Sequence, residues 1–332
     1  MTHVRVFGPI PSRRLGRSLG LNNIPPKTCS YSCVYCQLGR TRNYQIERET
    51  YQSIGEVEED ITTYLERLDP ATSPIDYLTF IADGEPTLDG NLGETIAQIK
   101  RAVDLPIAII SNASLIYRSD VSEDLSRADW VSLKCDAVNP DTWRRINRPH
   151  PELDHSSILG GIASFAKSFR GTLCTETMLV EGFNDGIDEL RQLAQFITAI
   201  SPDRAYIAIP TRPPAEAFAR KPPQRTVELA REIYAQAGID VHLLVDYEGD
   251  DFSTTGDAVD DLLRITEVHP MKERAVQSLL NRCGKDWDTV RGLVQEELLT
   301  TVDFAEETFY IRGKARGEGP DPDGRLPRVN RD

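Results

Sequence analysis

Residues 28–37 read Thr28-Cys29-Ser30-Tyr31-Ser32-Cys33-Val34-Tyr35-Cys36-Gln37, a Cys-x3-Cys-x2-Cys arrangement just after a predicted first strand at 18–22. The number of thiols is the informative part. Three thiolates can ligate three irons of a four-iron cubane, which leaves the fourth iron open to a small molecule. Two other readings stay open on these residues alone. A structural zinc ion wants four ligands, and no nearby His or Cys supplies the fourth. Three closely spaced cysteines also arise by chance as buried structural thiols, so the loop needs context.

The remaining three of the six cysteines are scattered, which argues against a secreted disulfide scaffold and for a reducing compartment. Residues 1–21 hold glycines and arginines where a signal peptide needs an apolar run, and no stretch is long enough to cross a bilayer. A soluble, unexported, cytoplasmic protein without membrane contact is expected. Net charge is −14, but residues 1–46 contain no Asp or Glu and carry seven cations, leaving −21 on the rest. Arg5, Arg13, Arg14, Arg17, Lys27, Arg40 and Arg42 bracket the cysteines, which predicts a cationic collar suited to anionic ligands rather than a nucleic-acid coat.

Outward from the loop, short β-rich runs alternate with helical patterns, the signature of βα units around a parallel sheet. Strands are predicted at 18–22, 77–82, 107–110, 130–135, 173–180 and 206–209. Helices run between them, one marked by Val57, Ile61, Tyr64, Leu65 and Leu68 at three- and four-residue spacing. Six strands with crossover helices predict an α/β fold with a partial (βα)6 barrel over 17–255, preceded by an N-terminal extension, 1–16. Residues 266–312 read as helix, helix and hairpin, a small winged-helix-like unit, and 313–332 as a disordered tail rich in Gly, Pro and charge.

Candidate site residues sit where barrel loops bind ligands, at strand ends. Asp83-Gly84-Glu85-Pro86-Thr87 ends the second strand, and Ser111-Asn112 the third. In Ser132-Leu133-Lys134-Cys135-Asp136, period-two alternation turns Ser132, Lys134 and Asp136 to the interior, and the same parity turns Glu176 inward on the fifth strand. Lys134 is a candidate catalytic cation, able to pair a carboxylate, contact substrate or form a Schiff base if burial lowers its pKa; a plain ion pair with Asp136 or Glu176 explains it equally well. Pro210-Thr211-Arg212-Pro213-Pro214, at the mouth of the sixth strand, offers Arg212 to an anionic substrate, or is simply a rigid proline turn. Cys135, Cys174 and Cys283 are too widely spaced for a local chelate and are expected in the core.

The cysteine loop, its position and Gly84-Glu85 together resemble the radical S-adenosylmethionine (SAM) superfamily. That resemblance implies a [4Fe-4S] cluster on Cys29, Cys33 and Cys36, with SAM chelated at the open iron and cleaved reductively to a 5′-deoxyadenosyl radical. It also implies that Tyr35 lies near the adenine and that the Gly84-Glu85 turn holds the SAM ammonium. Asp83 departs from the usual first glycine. With Asn112 beside them, these residues would position SAM, while Ser132 and Glu176 line the pocket.

The runs 7–20, 83–88, Ile146-Asn147-Arg148-Pro149-His150-Pro151 and 178–184 resemble small radical SAM proteins grouped with the wyosine-base (tRNA-imidazoguanosine) synthases. Those synthases carry further cysteines for a second cluster, and this chain has none before Cys29. The resemblance implies a low-potential electron donor of flavodoxin or ferredoxin type and hydrogen abstraction from a substrate that includes a tRNA base among its candidates. Two alternatives remain: a glycyl-radical activase or peptide-modifying enzyme acting on protein, and a non-enzymatic iron–sulfur regulator with a DNA-binding winged helix. Nine acids against six Lys and Arg over 266–312 favour a cap or protein-docking module over a nucleic-acid reader for that unit.

Overall fold

The computed structural model describes residues 6–81, 83–246 and 249–313. Strands β1 (Val6–Ser12) and β2 (Gly16–Leu21) lead into the cysteine loop, which carries the two-residue strands β3 (Thr28–Cys29) and β4 (Asn43–Tyr44). Then follow α1 (Ile54–Glu66), β5 (Tyr77–Phe80), α2 (Leu92–Ala102), β6 (Ile107–Ser111), α3 (Ser119–Leu125) and β7 (Trp130–Lys134). Next come α4 (Pro140–Asn147), α5 (His155–Ser168), β8 (Thr172–Met178), α6 (Ile187–Ile200), β9 (Arg204–Ala208), α7 (Gln224–Gln236) and β10 (Val241–Leu244). The chain ends with α8 (Ala258–Val268), β11 (Met271–Lys272), α9 (Glu273–Arg282), α10 (Trp287–Gln295), β12 (Leu299–Phe304) and β13 (Glu307–Arg312).

One eight-stranded sheet, in the order β1-β2-β5-β6-β7-β8-β9-β10, curls into an open half-barrel. All neighbours from β2 to β10 are parallel, and only β1 runs antiparallel to its neighbour. Helices start where their caps predict. Ser53 and Glu56 form a reciprocal capping box on α1, and Asn139 caps α4 ahead of Pro140. The outer face of the sheet packs against helix stripes such as Val57, Ile61 and Tyr64. The inner face carries a second apolar set including Ala108, Trp130, Cys174, Tyr206 and Leu244.

Two strands of this sheet were not expected. β10 is only four residues long, and β1 holds Pro9 and Pro11, which demote a strand reading except at a sheet edge, where β1 lies. Residues 6–16 are therefore part of the sheet rather than an extension to it. Phe7 lies across Gly20 so closely that a Cβ there would sit 2.1 Å from the ring tip, and Leu15 turns into the barrel interior. The C-terminal unit also begins earlier than 266. Its core includes Phe252 and Ala258, Leu262 and Ile265 of α8, and takes in Phe7 and Ile10 of β1. Its elements run helix, strand, helix, helix, hairpin, with a three-stranded sheet ordered β11-β13-β12, as in a winged helix. The expected tail lies outside the described residues except for Gly313.

Because Phe7 is fully buried where the barrel edge meets the C-terminal unit, Phe7→Ala should lower stability by about 3–5 kcal/mol. Chemical denaturation followed by circular dichroism would show it as an earlier midpoint.

Candidate active site

The cysteine loop is held from both sides by main chain. On one side, Glu85 N–H donates to Thr28 O at 3.0 Å, and Gly84 bridges to Thr28. Gly84 has φ +152°, and a Cβ there would lie 1.8 Å from the Thr28 carbonyl oxygen, so the approach requires glycine. On the other side the segment after α4 runs antiparallel to the loop. Val34 N–H donates to Ile146 O at 2.9 Å, Ser32 N–H to Arg148 O at 3.1 Å, and His150 N–H to Ser30 O at 2.8 Å. Arg148 ends α4 in the left-handed conformation, φ 44°, which turns the chain onto the loop.

Between these straps Cys29, Cys33 and Cys36 are free and half-buried. Burial raises all three thiols, Cys33 to about 12. A thiolate persists in such a setting only against positive charge, which iron supplies. Side-chain amides face two of the sulfurs: Asn112 Nδ2 lies 3.5 Å from Cys29 Sγ and Asn147 Nδ2 3.4 Å from Cys33 Sγ. Three thiols with polarised N–H groups around them fit a cluster bound through three irons. Among the described residues, no three His, Cys, Asp or Glu side chains converge tightly enough for a single metal ion.

Glu85 departs from expectation. Its carboxylate is buried and accepts from Thr87 N (3.1 Å), Thr87 Oγ1 (2.6 Å), Ser111 Oγ (2.8 Å) and Asn112 N (2.7 Å). It braces the turn against the end of β6 rather than facing open space. Asn112 is likewise committed, its amide donating to Ser30 Oγ at 3.0 Å as well as facing Cys29. The polar group left over at this turn is Asp83, buried and pushed up to about 7 by burial, with Oδ1 lacking a partner among the described residues.

Inside the barrel, β7 and β8 pair Ser132 with Cys174 and Lys134 with Glu176. Lys134 Nζ donates to Glu176 Oε1 at 2.5 Å, and Arg14, reaching in from the β1–β2 turn, pairs with Glu176 Oε2. Burial opposes ionisation of Glu176, but the two cations hold its carboxyl down at about 2. Burial also opposes the Lys134 ammonium, yet Glu176 and Asp136 outweigh it and raise the pKa. A Schiff-base role is thereby closed, because it needs a neutral amine. Lys134 instead lies 5.2 Å from the Tyr35 ring centre. The Tyr35 hydroxyl donates to Asp136, which also accepts from Met178 N at 2.8 Å and Asn147 Nδ2 at 2.7 Å. Ser132 Oγ is buried without a partner among the described residues.

Arg212 is not at an open mouth. It is buried, donating to Gln37 Oε1 at 2.8 Å and meeting His269 Nε2 at 3.1 Å, while Gln37 Nε2 donates to Val268 O at 3.1 Å. It thus ties the cysteine loop to the C-terminal unit. Two of the collar cations are paired with carboxylates, Arg14 with Glu176 and Arg40 with Glu216, and Arg5 lies outside the described residues. Cys135, Cys174 and Cys283 pack in three separate apolar clusters. Sequence reasoning counted Arg14 in the collar but missed its pairing with Glu176 inside the barrel, and it left Asn147 unassigned in the 146–151 motif. Behind the loop lies a cleft of about 390 Å³, lined by Tyr44, Trp143, Arg144, Arg148 and His150 among others.

A half-barrel with a three-cysteine loop at the strand ends defines a radical SAM enzyme, built to use a [4Fe-4S] cluster and SAM. The chain belongs to the radical SAM superfamily, whose family model matches residues 23–197. A UPF0026 protein of Methanocaldococcus jannaschii is 40% identical over 308 residues, 92% of this chain and 95% of that protein. A UPF0026 protein of Synechocystis is 36% identical, covering 68% of this chain and 80% of the relative. Among solved structures, a radical SAM methyltransferase from Sphaerobacter thermophilus shares the fold with a TM-score of 0.50 at 16% identity, over 69% of this chain and 66% of that one.

Two substitutions check this geometry. Gly84→Ala should sharply reduce iron and sulfide content, because the new Cβ displaces Thr28, whereas Gly160→Ala, with nothing within 4 Å, should leave it unchanged. Glu176→Gln should cost about 3–5 kcal/mol by leaving two buried cations against no carboxylate. The folded pKa lies below the unfolded value of about 4.3, so this stabilisation is full above that pH and is lost as pH falls toward 2. Melting temperatures of wild type and variant should therefore converge as pH falls from about 4.3 toward 2.

Proposed function

We propose that the enzyme binds a [4Fe-4S] cluster on Cys29, Cys33 and Cys36 and cleaves SAM reductively there, the resulting 5′-deoxyadenosyl radical abstracting hydrogen from a substrate held in the half-barrel. The observation that carries this reading is the junction between loop and barrel: Tyr35, one residue before Cys36, is fixed by Asp136 and lies over Lys134. A ligand at the loop would therefore face the interior polar set. In this reading Tyr35 supplies a ring face, Asp83 and the Gly84 turn supply acceptors for an ammonium, and Lys134 supplies a fixed cation for a carboxylate. Arg14 and Lys134 are matched by the two carboxyl groups beside them, Glu176 and Asp136. The electron comes from a low-potential carrier of flavodoxin or ferredoxin type.

One observation favours a tRNA base as substrate. The cleft behind the cysteine loop combines Tyr44 and His150 with Arg144 and Arg148, side chains that stack on bases and grip phosphates. No such observation favours a protein substrate, and membership of the superfamily sets the non-enzymatic regulator aside.

The test is anaerobic. Protein reconstituted with iron and sulfide is given SAM and a strong reductant, with and without bulk tRNA, and 5′-deoxyadenosine is quantified. Product is expected from wild type, none from Cys33→Ala, and more with tRNA than without. A fully loaded, reducible cluster that yields none with any candidate substrate would sink the reading. Unchanged product with tRNA, together with no salt-sensitive tRNA binding, would remove the RNA substrate alone.

A further inference from the structure

The side chain of Asn147 takes no part in that reading, and the structure assigns it one: we propose that Asn147 is a positioning residue for Cys33, its side-chain amide donating to the Cys33 sulfur and so setting how readily the bound cluster accepts an electron. This rests on Cys33 being a cluster ligand.

Asn147 is the last residue of α4 and is 2% exposed. Its amide nitrogen lies 2.7 Å from Asp136 Oδ2, 3.4 Å from Cys33 Sγ and 3.4 Å from the Tyr35 hydroxyl oxygen. An amide has two N–H donors. The Asp136 carboxylate takes one, which turns the other toward the sulfur and the tyrosine oxygen. The opposite flip of the amide would place its carbonyl 2.7 Å from a carboxylate oxygen, acceptor against acceptor, so Asp136 fixes the donor orientation. Asp136 is itself held by Met178 N–H at 2.8 Å and by the Tyr35 hydroxyl. The Tyr35 proton is committed to Asp136, so the tyrosine presents only a lone pair to Asn147. The main chain of the same residue also takes part, since Ser32 N–H donates to Asn147 O at 3.0 Å and Val34 N–H to Ile146 O at 2.9 Å. Cys33 is thus flanked by two backbone bonds and faced by one amide donor, all from one short segment.

The consequence is electronic. Reduction adds negative charge that is shared with the ligating sulfurs, and an N–H aimed at a sulfur stabilises that charge. Asn147 therefore raises the reduction potential and eases the electron transfer that must precede SAM cleavage. Asn112, facing Cys29 at 3.5 Å, acts in the same sense on the other side of the loop.

The experiment is a potentiometric titration of the reconstituted protein, followed by electron paramagnetic resonance of the reduced cluster in the absence of SAM. Wild type is compared with Asn147→Leu, nearly isosteric without a donor, with Asn147→Ala, and with Asn147→Gln, which keeps the amide. At the wild-type midpoint, Leu and Ala should show a reduced-to-oxidised ratio about tenfold lower, about 59 mV for one electron. Gln should recover at least half of that shift. Iron loss in Leu and Ala with retention in Gln would equally support a donor role. Midpoints for Leu and Ala equal to wild type, a Gln midpoint as low as that of Leu, or iron loss in all three would overturn the proposal. Failure of the ligand assignment looks different: wild type and Cys33→Ala would then hold equal iron, and both ideas would fall together.

Discussion

The close approach of two main chains at Gly84 is the constraint on which the rest of the site depends. A carbonyl of the cysteine loop sits where any side chain at residue 84 would begin, so the loop can dock onto the strand-end turn only because that position is bare. From this contact the thiols acquire their place above the barrel mouth, and Glu85 acquires its task, anchoring the turn to Ser111 and Asn112 at the end of β6. The second strap, 146–150, completes the clamp from the opposite side with three backbone bonds. A loop with two-residue strands as its regular structure is thereby fixed as firmly as a sheet edge.

The clamp also explains how polar chemistry survives in a buried interior. Glu176 would be costly alone, yet Arg14 enters from the β1–β2 turn and Lys134 from the adjacent strand, so the charge is compensated twice. Asp136 links the interior to the loop through Tyr35 and Asn147. The N-terminal strand and the C-terminal unit are part of the same construction. Phe7 and Ile10 belong to the core of that unit, and the Gln37, Arg212 and His269 contacts tie its first helix to the residue after Cys36. Anything that shifts α8 is felt within one residue of Cys36.

Much of this was legible from residue order. The cysteine spacing, the Gly84-Glu85 turn and the βα alternation pointed to one superfamily and a parallel half-barrel, because ligand counting, glycine chemistry and periodicity are local properties. Alternation likewise turned Ser132, Lys134 and Glu176 inward. What alternation could not supply was partners. Whether Lys134 is a nucleophile or a fixed cation depends on what stands within a few ångströms, and Arg14, 162 positions from Glu176, is invisible to any sequence window. The hydrogen bonds of Glu85 were out of reach for the same reason, since its four donors come from Thr87 and from a different strand end.

The sequence by itself determined the class of protein, the three-cysteine loop and the layered architecture, all of which follow from short-range spacing. Tertiary structure alone decided that an apparent extension is an edge strand, that Arg212 is a brace, and that Arg14 and Arg40 of the collar are paired with carboxylates. It alone decided, too, that Asn147 faces a sulfur. Each of these rests on contacts between residues far apart in the chain, where charge and hydrogen-bond direction are set by distance in space and leave no local pattern to read.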